Sequence, residues 1–188
     1  MNEGKIKRCL WVSLKDPLMM EYHDKEWGTP VHDDNKIFEF LVLESFQAGL
    51  SWRTVLNKRE NFEKAFAGFN PRKVAKFGKK DISRLLKNKG IIRNRAKIEA
   101  AINNGQRFLE VQKEFGKFSK YMWSFTGNKP IKNKVQKLSD YKSSSKEAEL
   151  MAKDLKKRGF KFLGPTTIYA HMQAVGMVND HMTGCFKR

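Results

Sequence analysis

Both cysteines of this chain and two of its four histidines sit close to the two ends. Cys9 and His23 lie near the start, His181 and Cys185 near the finish. Residues four apart on a helical turn face the same way, so His181 and Cys185 can grip one ion, and Cys9 with His23 completes a Cys2His2 set. Four protein ligands close a tetrahedral shell and leave no position for a reactive water, so such an ion is structural. The alternative is a pair of ordinary polar histidines beside buried thiols. His32 and His171 have no comparable setting; His171 falls in an apolar helical segment and reads as a hydrogen-bonded core residue.

A second group centres on Glu44. It shares a helical stripe with Ile37, Leu41 and Ala48, in a segment with little polar surface, where an ionised carboxylate needs a partner or a functional reason. One reading pairs it with a nearby Lys or Arg. The other notes that Trp11, Tyr22, Trp27 and Trp52 flank this helix in sequence and can wall an aromatic pocket. A carboxylate among aromatic rings suits a flat ligand carrying an N–H donor, such as a nucleobase. A third group is LLKNKGIIRNRAKI, in which Gly90, Ile91 and Ile92 turn between two helices. Lys87, Lys89, Arg93, Arg95 and Lys97 surround that turn. Backbone N–H groups at such a turn, the dipole of the next helix and the flanking cations can together hold a phosphate.

The elements that must position these groups are helical. The segment at 34–48 is apolar nearly all round and reads as a helix buried on most sides. Asn70-Pro71 starts a helix, and another opens near Asp81 and stops at Gly90. Residues 94–112 carry Ile98, Ala101, Ile102 and Leu109 at helical spacing, interrupted by Gly105. Gly164-Pro165 starts the last long helix. Residues 126–146 are polar and basic and read as a long loop, after which Ser144 and Glu147, at capping-box spacing, restart a helix that runs to about Lys157. The expectation is an all-α chain, one domain over residues 1–188, with a hairpin at about 86–98.

Composition narrows the classes. Lys and Arg number 38 against 20 Asp and Glu, a net charge of +18 over 188 residues. That excess calls for a polyanionic partner, most simply nucleic acid. Apolar runs fall short of the ~18 residues that span a membrane. The first residues lack the apolar stretch of a signal peptide, so a cytoplasmic location is expected; a monomer is expected as well. Two cysteines rule out a disulfide scaffold and leave one bridge between the ends, which a reducing cytosol disfavours. Metalloprotease, zinc-deaminase, phosphate-loop and paired-carboxylate glycosidase patterns are absent.

The stretches CLWVSLKDPLMMEYHDKEWG, LESFQAGLSWRTVLNKRENF, GIIRNRAKIEAAI and KKRGFKFLGPTTIYAHMQAVGMVNDH, with the final Cys185, resemble the DNA-3-methyladenine glycosylase I family. The resemblance runs from Cys9 to Cys185 in the same order. It implies an all-α, helix-hairpin-helix glycosylase fold of two closely packed lobes, with one structural zinc per chain held by Cys9, His23, His181 and Cys185. It implies a base pocket at Glu44, Tyr22 and Trp52, with Trp11 and Trp27 near the rim. The hairpin residues Gly90, Ile91, Ile92, Arg93 and Arg95 would grip phosphates, and Gly49-Leu50 would meet the gap left by a flipped nucleotide. The implied activity is hydrolysis of the N-glycosidic bond of N3-methyladenine in alkylated double-stranded DNA. A non-catalytic basic zinc module that binds nucleic acid would share the charge, hairpin and metal but not the carboxylate among aromatics. Two departures stand out. Met19 occupies a place where the family carries an aromatic, which softens one pocket wall. There is also no Asp between Asp81 and Asp140 to steady a sugar cation.

Overall fold

The apolar run DNKIFEFLVLESFQ forms α2 (Asp34–Gln47), and its Ile37, Phe38, Phe40, Leu41, Leu43 and Phe46 are buried. The computed structural model describes residues 6–188. Asp33 caps α2 by accepting from the Lys36 N–H at 2.8 Å. The first residue of α2, Asp34, reaches across the fold. Its carboxylate accepts from the backbone N–H groups of Phe118 and Ser119 and from Gln112. It therefore satisfies donors at the start of α8 (Phe118–Ser124) that no helical carbonyl can serve.

Around α2 stand α1 (Pro17–Lys25), α3 (Trp52–Leu56), α4 (Arg59–Ala65), α5 (Pro71–Val74), α6 (Lys79–Lys87), α7 (Arg95–Phe115), α9 (Lys146–Lys157) and α10 (Pro165–Ala174). α5 and α6 pack on α7, α9 packs on α10, and α2 touches both α7 and α10. Helices thus gather into a hairpin lobe and a lobe that holds both chain ends, with one buried core running through them. Among the described residues, strand structure is limited to β1 (Ile131–Lys132) and β2 (Val178–Asn179), paired in parallel, with a bridge from Val135 to Met182.

The helical expectations hold in kind and shift in detail. Asn70 caps α5 through the Lys73 N–H, but that helix is only four residues long. α6 begins at Lys79; Asp81 is its third residue and returns its carboxylate to the Gly78 N–H. It closes at Lys87, before Gly90. α7 runs unbroken through Gly105, where a Cβ would lie 3.1 Å from the Ala75 nitrogen, so the glycine lets α5 and α7 approach. Ser145, not Ser144, caps α9, because its Oγ accepts from the Ala148 N–H. Ala48 lies past the end of α2 and is exposed, so the buried stripe ends at Glu44. His171 is fully buried, as a core residue should be, but it is not fully hydrogen-bonded. Its Nε2 faces Met122 Sδ at 3.3 Å, its Nδ1 has no partner among the described residues, and burial pushes its pKa down to about 3.

Candidate functional site

Successive residues on a helix point about 100° apart, and α1 uses this to serve two sites at once. Tyr22 turns toward α2 and α3, whereas His23 turns toward the chain ends. His23 Nε2 lies 3.5 Å from Cys185 Sγ, and His181 Nδ1 lies 3.5 Å from both Cys9 Sγ and Cys185 Sγ. All four ligand atoms fall within 4.8 Å of one another, and all four residues are buried. The edge of a tetrahedron around a zinc-sized ion with S and N ligands is roughly 3.5 Å, so this donor set fits a closed metal site. The outer nitrogens are committed as metal-bound histidines require. His23 Nδ1 meets Asp24 at 2.7 Å, and Asp24 is itself clamped by Arg8. His181 Nε2 donates to the Trp27 carbonyl at 2.9 Å. Burial holds the Cys9 thiol above its usual range, so a thiolate here needs a cation beside it. Both cysteines are free thiols rather than a bridge between the ends.

Next to this cluster is a cavity of about 320 Å³, lined by Trp11, Met19, Tyr22, Trp27, Glu44 and Trp52 among others. That size falls at the small end of ligand sites, roughly 300–1,000 Å³. The Tyr22 and Trp52 rings lie 5.3 Å apart and tilted, and Trp11 meets Trp27 edge-on at 5.0 Å. Trp27 is buried and also packs on His181, so it forms a wall common to the cavity and the metal cluster. Glu44 is 4% exposed, and its Oε2 has no hydrogen-bond partner among the described residues; the same is true of Trp52 Nε1. Glu44 makes no ion pair with any described residue, which disposes of the structural alternative. Burial alone pushes its pKa from 4.5 up to about 8. Two unpaired polar atoms in an aromatic cavity are expensive unless a ligand meets them.

Several lining residues lie outside the expected set. Gln47 comes from the last turn of α2, Ala170 and Gln173 from α10, and Tyr141 and Lys142 from the basic segment. Gln173 is held by Asp180, a buried carboxylate that accepts from Gln173 Nε2, Tyr169 Oη and Asn133 Nδ2, each at 2.7 Å. With its Nε2 engaged there, Gln173 is held in place as part of the cavity lining. An aromatic alone in a polar loop was the one sequence signal for Tyr141. Nothing local marked Gln173. A larger open groove between α9 and the start of α10 contains none of the buried unpaired atoms.

The hairpin lies between α6 and α7. Gly90 is needed for close approach, since a Cβ there would come within 2.9 Å of the Asn61 side chain. Its N–H donates to Asn88 Oδ1 and that of Ile91 to the Asn88 carbonyl, so these two amides are used internally. The amides of Ile92 and Arg93 have no backbone partner, and Arg93 is exposed. Arg95 is exposed and pairs with Glu99 one turn on. Lys97 departs from the expected basic rim. It is buried, and its Nζ donates to the carbonyls of Phe46 and Ala48, closing the end of α2. It thereby ties α7 to the turn at Gly49, whose φ of +81° favours glycine, and to Leu50, which is 41% exposed.

A basic helical hairpin, an exposed apolar tip and an aromatic cavity floored by an unpaired carboxyl form the layout of a nucleic-acid protein that takes a base out of its stack. The methyladenine glycosylase family model matches residues 11–188. The chain is 47% identical over 180 residues to DNA-3-methyladenine glycosylase 1 of Escherichia coli (strain K12), covering 96% of each. It is 46% identical over 178 residues to DNA-3-methyladenine glycosylase of Haemophilus influenzae, covering 95% of this chain and 96% of that one. Its fold superposes on 3-methyladenine DNA glycosylase I of Staphylococcus aureus, in a structure addressing 3-methyladenine recognition. The TM-score is 0.92 at 40% identity, over 98% of this chain and 97% of that one. The chain belongs to the methyladenine glycosylase family.

Proposed function

We propose that this protein is a DNA repair glycosylase that hydrolyses the N-glycosidic bond of N3-methyladenine in alkylated duplex DNA. The observation that carries the reading is the pair of unpaired buried atoms, Glu44 Oε2 and Trp52 Nε1, in an aromatic cavity of base size. A module that only binds nucleic acid has no use for them.

Methylation at N3 puts positive charge on the purine, so the base is already a good leaving group and no strong general acid is needed. The enzyme must extrude the nucleotide, at a cost of a few kcal/mol, and hold the reacting parts in place. Tyr22 and Trp52 bound the base, Glu44 accepts from its exocyclic amine, and Gln173 offers a second acceptor. Glu44 also supplies charge selection. With its pKa near 8, it ionises readily only when a cation enters beside it. A methylated purine brings that charge and normal adenine does not. As the C1′–N9 bond breaks, its electron pair returns to the base and neutralises it. Water then adds to the sugar cation at C1′ and gives up a proton.

In this reading Leu50 fills the gap left in the stack, Arg93 and the free hairpin amides hold phosphates, and Arg95 adds charge. The Cys9, His23, His181 and Cys185 set takes one zinc ion, which when bound stabilises the two thiolates and staples the chain ends. Incubation with alkylated duplex DNA and chromatography of the released bases tests the activity. Free 3-methyladenine supports it; shifted DNA without base release supports a binding module instead.

A further inference from the structure

The basic segment 126–146 supplies two walls of the cavity, and its lysines are not explained by that role. Its inner side is anchored. Ile131 and Lys132 pair with Val178 and Asn179, Thr183 donates to the Val135 carbonyl at 2.7 Å, and Asn133 is tied to Asp180. Side chains alternate along such an extended stretch. Asn133 and Val135 turn inward, Val135 being buried, while Lys132, Lys134 and Gln136 stand on the outer side. Beyond them, Asp140 spends its carboxylate on the backbone N–H groups of Gln136 and Lys137. Tyr141 then packs beside Trp27, and Lys142 stands exposed at the cavity mouth. Lys129, Lys132, Lys134, Lys137 and Lys142 take part in none of the ion pairs among the described residues. Ammonium groups two residues apart on an extended strand lie roughly 6.6 Å from one another, a spacing that can follow a sugar-phosphate chain.

We propose that residues 129–142 form a second DNA-backbone contact, separate from the hairpin, in which Lys132, Lys134 and Lys142 hold phosphates of the lesion strand on either side of the extruded nucleotide. The proposal rests on the glycosylase reading for the position of that nucleotide. The row of cations ends where the base enters, so whatever chain delivers a base to the cavity must run its phosphates past Lys142. The pairing at Ile131–Lys132 and the bridge at Val135 fix the backbone that carries Lys132 and Lys134.

The test compares the parent, Lys132→Gln/Lys134→Gln/Lys142→Gln, and a charge-matched control, Lys153→Gln/Lys156→Gln/Lys161→Gln. Affinity for an undamaged duplex is measured against salt concentration, and base release from alkylated DNA is followed in parallel. The triple variant should flatten the log–log salt slope by about 0.9 for each phosphate it no longer neutralises, roughly two to three phosphates in all, and weaken binding at least tenfold in roughly 0.15 M salt. The control should keep the parental slope. Equal flattening in both variants, or a parental slope in the triple variant, overturns the proposal. The Lys132→Gln/Lys134→Gln pair, both outward-facing, gives the same reading should the triple variant melt early. Parent protein that binds DNA with these slopes yet releases no base would overturn the glycosylase reading and leave the second backbone site standing.

Discussion

In the proposed function, Glu44 is the residue on which fold and function pull in opposite directions. Its carboxyl is buried without a partner, and its pKa is about 8 against 4.5 for the free side chain. A carboxyl whose pKa is raised by folding contributes its full stability below about pH 4.5, and that stability is lost as pH rises toward 8. Glu44→Gln should therefore flatten the melting-temperature profile between those values and melt higher than the parent at pH 8, by an amount worth up to a few kcal/mol. The same variant should lose most base release while keeping its affinity for undamaged DNA. Parental excision, or an early melt, takes Glu44 out of the mechanism. Lys97 behaves in the opposite way. Lys97→Met leaves the Phe46 and Ala48 carbonyls without their donor, a cost of about 2–4 kcal/mol. Chemical denaturation should register that loss, and base release should fall as the Gly49-Leu50 turn loosens. A stability unchanged by Lys97→Met would show that Lys97 does not close α2.

Among the elements, the hairpin and the α2–α3 turn work as one unit because Lys97 of α7 closes α2. In the proposed function the hairpin contacts phosphates, which carry no sequence information. Arg93→Ala should accordingly weaken lesion and undamaged duplex by the same factor and flatten the salt slope by about 0.9. A variant that lost lesion affinity alone would contradict the role given to Arg93. The helices at α2, α5, α6, α7, α9 and α10 were legible from apolar spacing and caps, whereas α1, α3, α4 and α8 were not. Nor was the exact cap of α9. Ser144 and Ser145 are both competent acceptors, and only the backbone path, with Ser145 extended at φ −143°, selects one.

At the scale of the whole molecule, the Cys2His2 cluster closes nearly the entire chain into a loop and shares the Trp27 wall with the aromatic cavity. Metal loss should therefore be felt in both stability and catalysis. One zinc per chain is expected by elemental analysis, and a strong chelator or Cys185→Ala should lower the melting temperature by many degrees, with base release lost in step. A metal-free protein of parental stability would refute the assignment. Among the described residues no helix is long and apolar enough to cross a membrane.

The two terminal Cys/His pairs, the lone acid in an apolar helix and the basic turn could each be singled out in the chain alone, because each depends on residue type and local spacing; that the two pairs meet was decided by the fold. Glu44 stood out because helix periodicity already places it on a buried face. What periodicity could not supply was its lack of a cation, which follows from the packing of α1, α3 and α10 around it. Gln173, Tyr141 and Lys142 reach the same cavity from segments far apart in sequence. Lys97 looked like one more surface cation until the fold turned it inward onto α2. In each of these cases the neighbours of a side chain are chosen by how distant helices pack, a long-range condition that a short window of sequence does not contain.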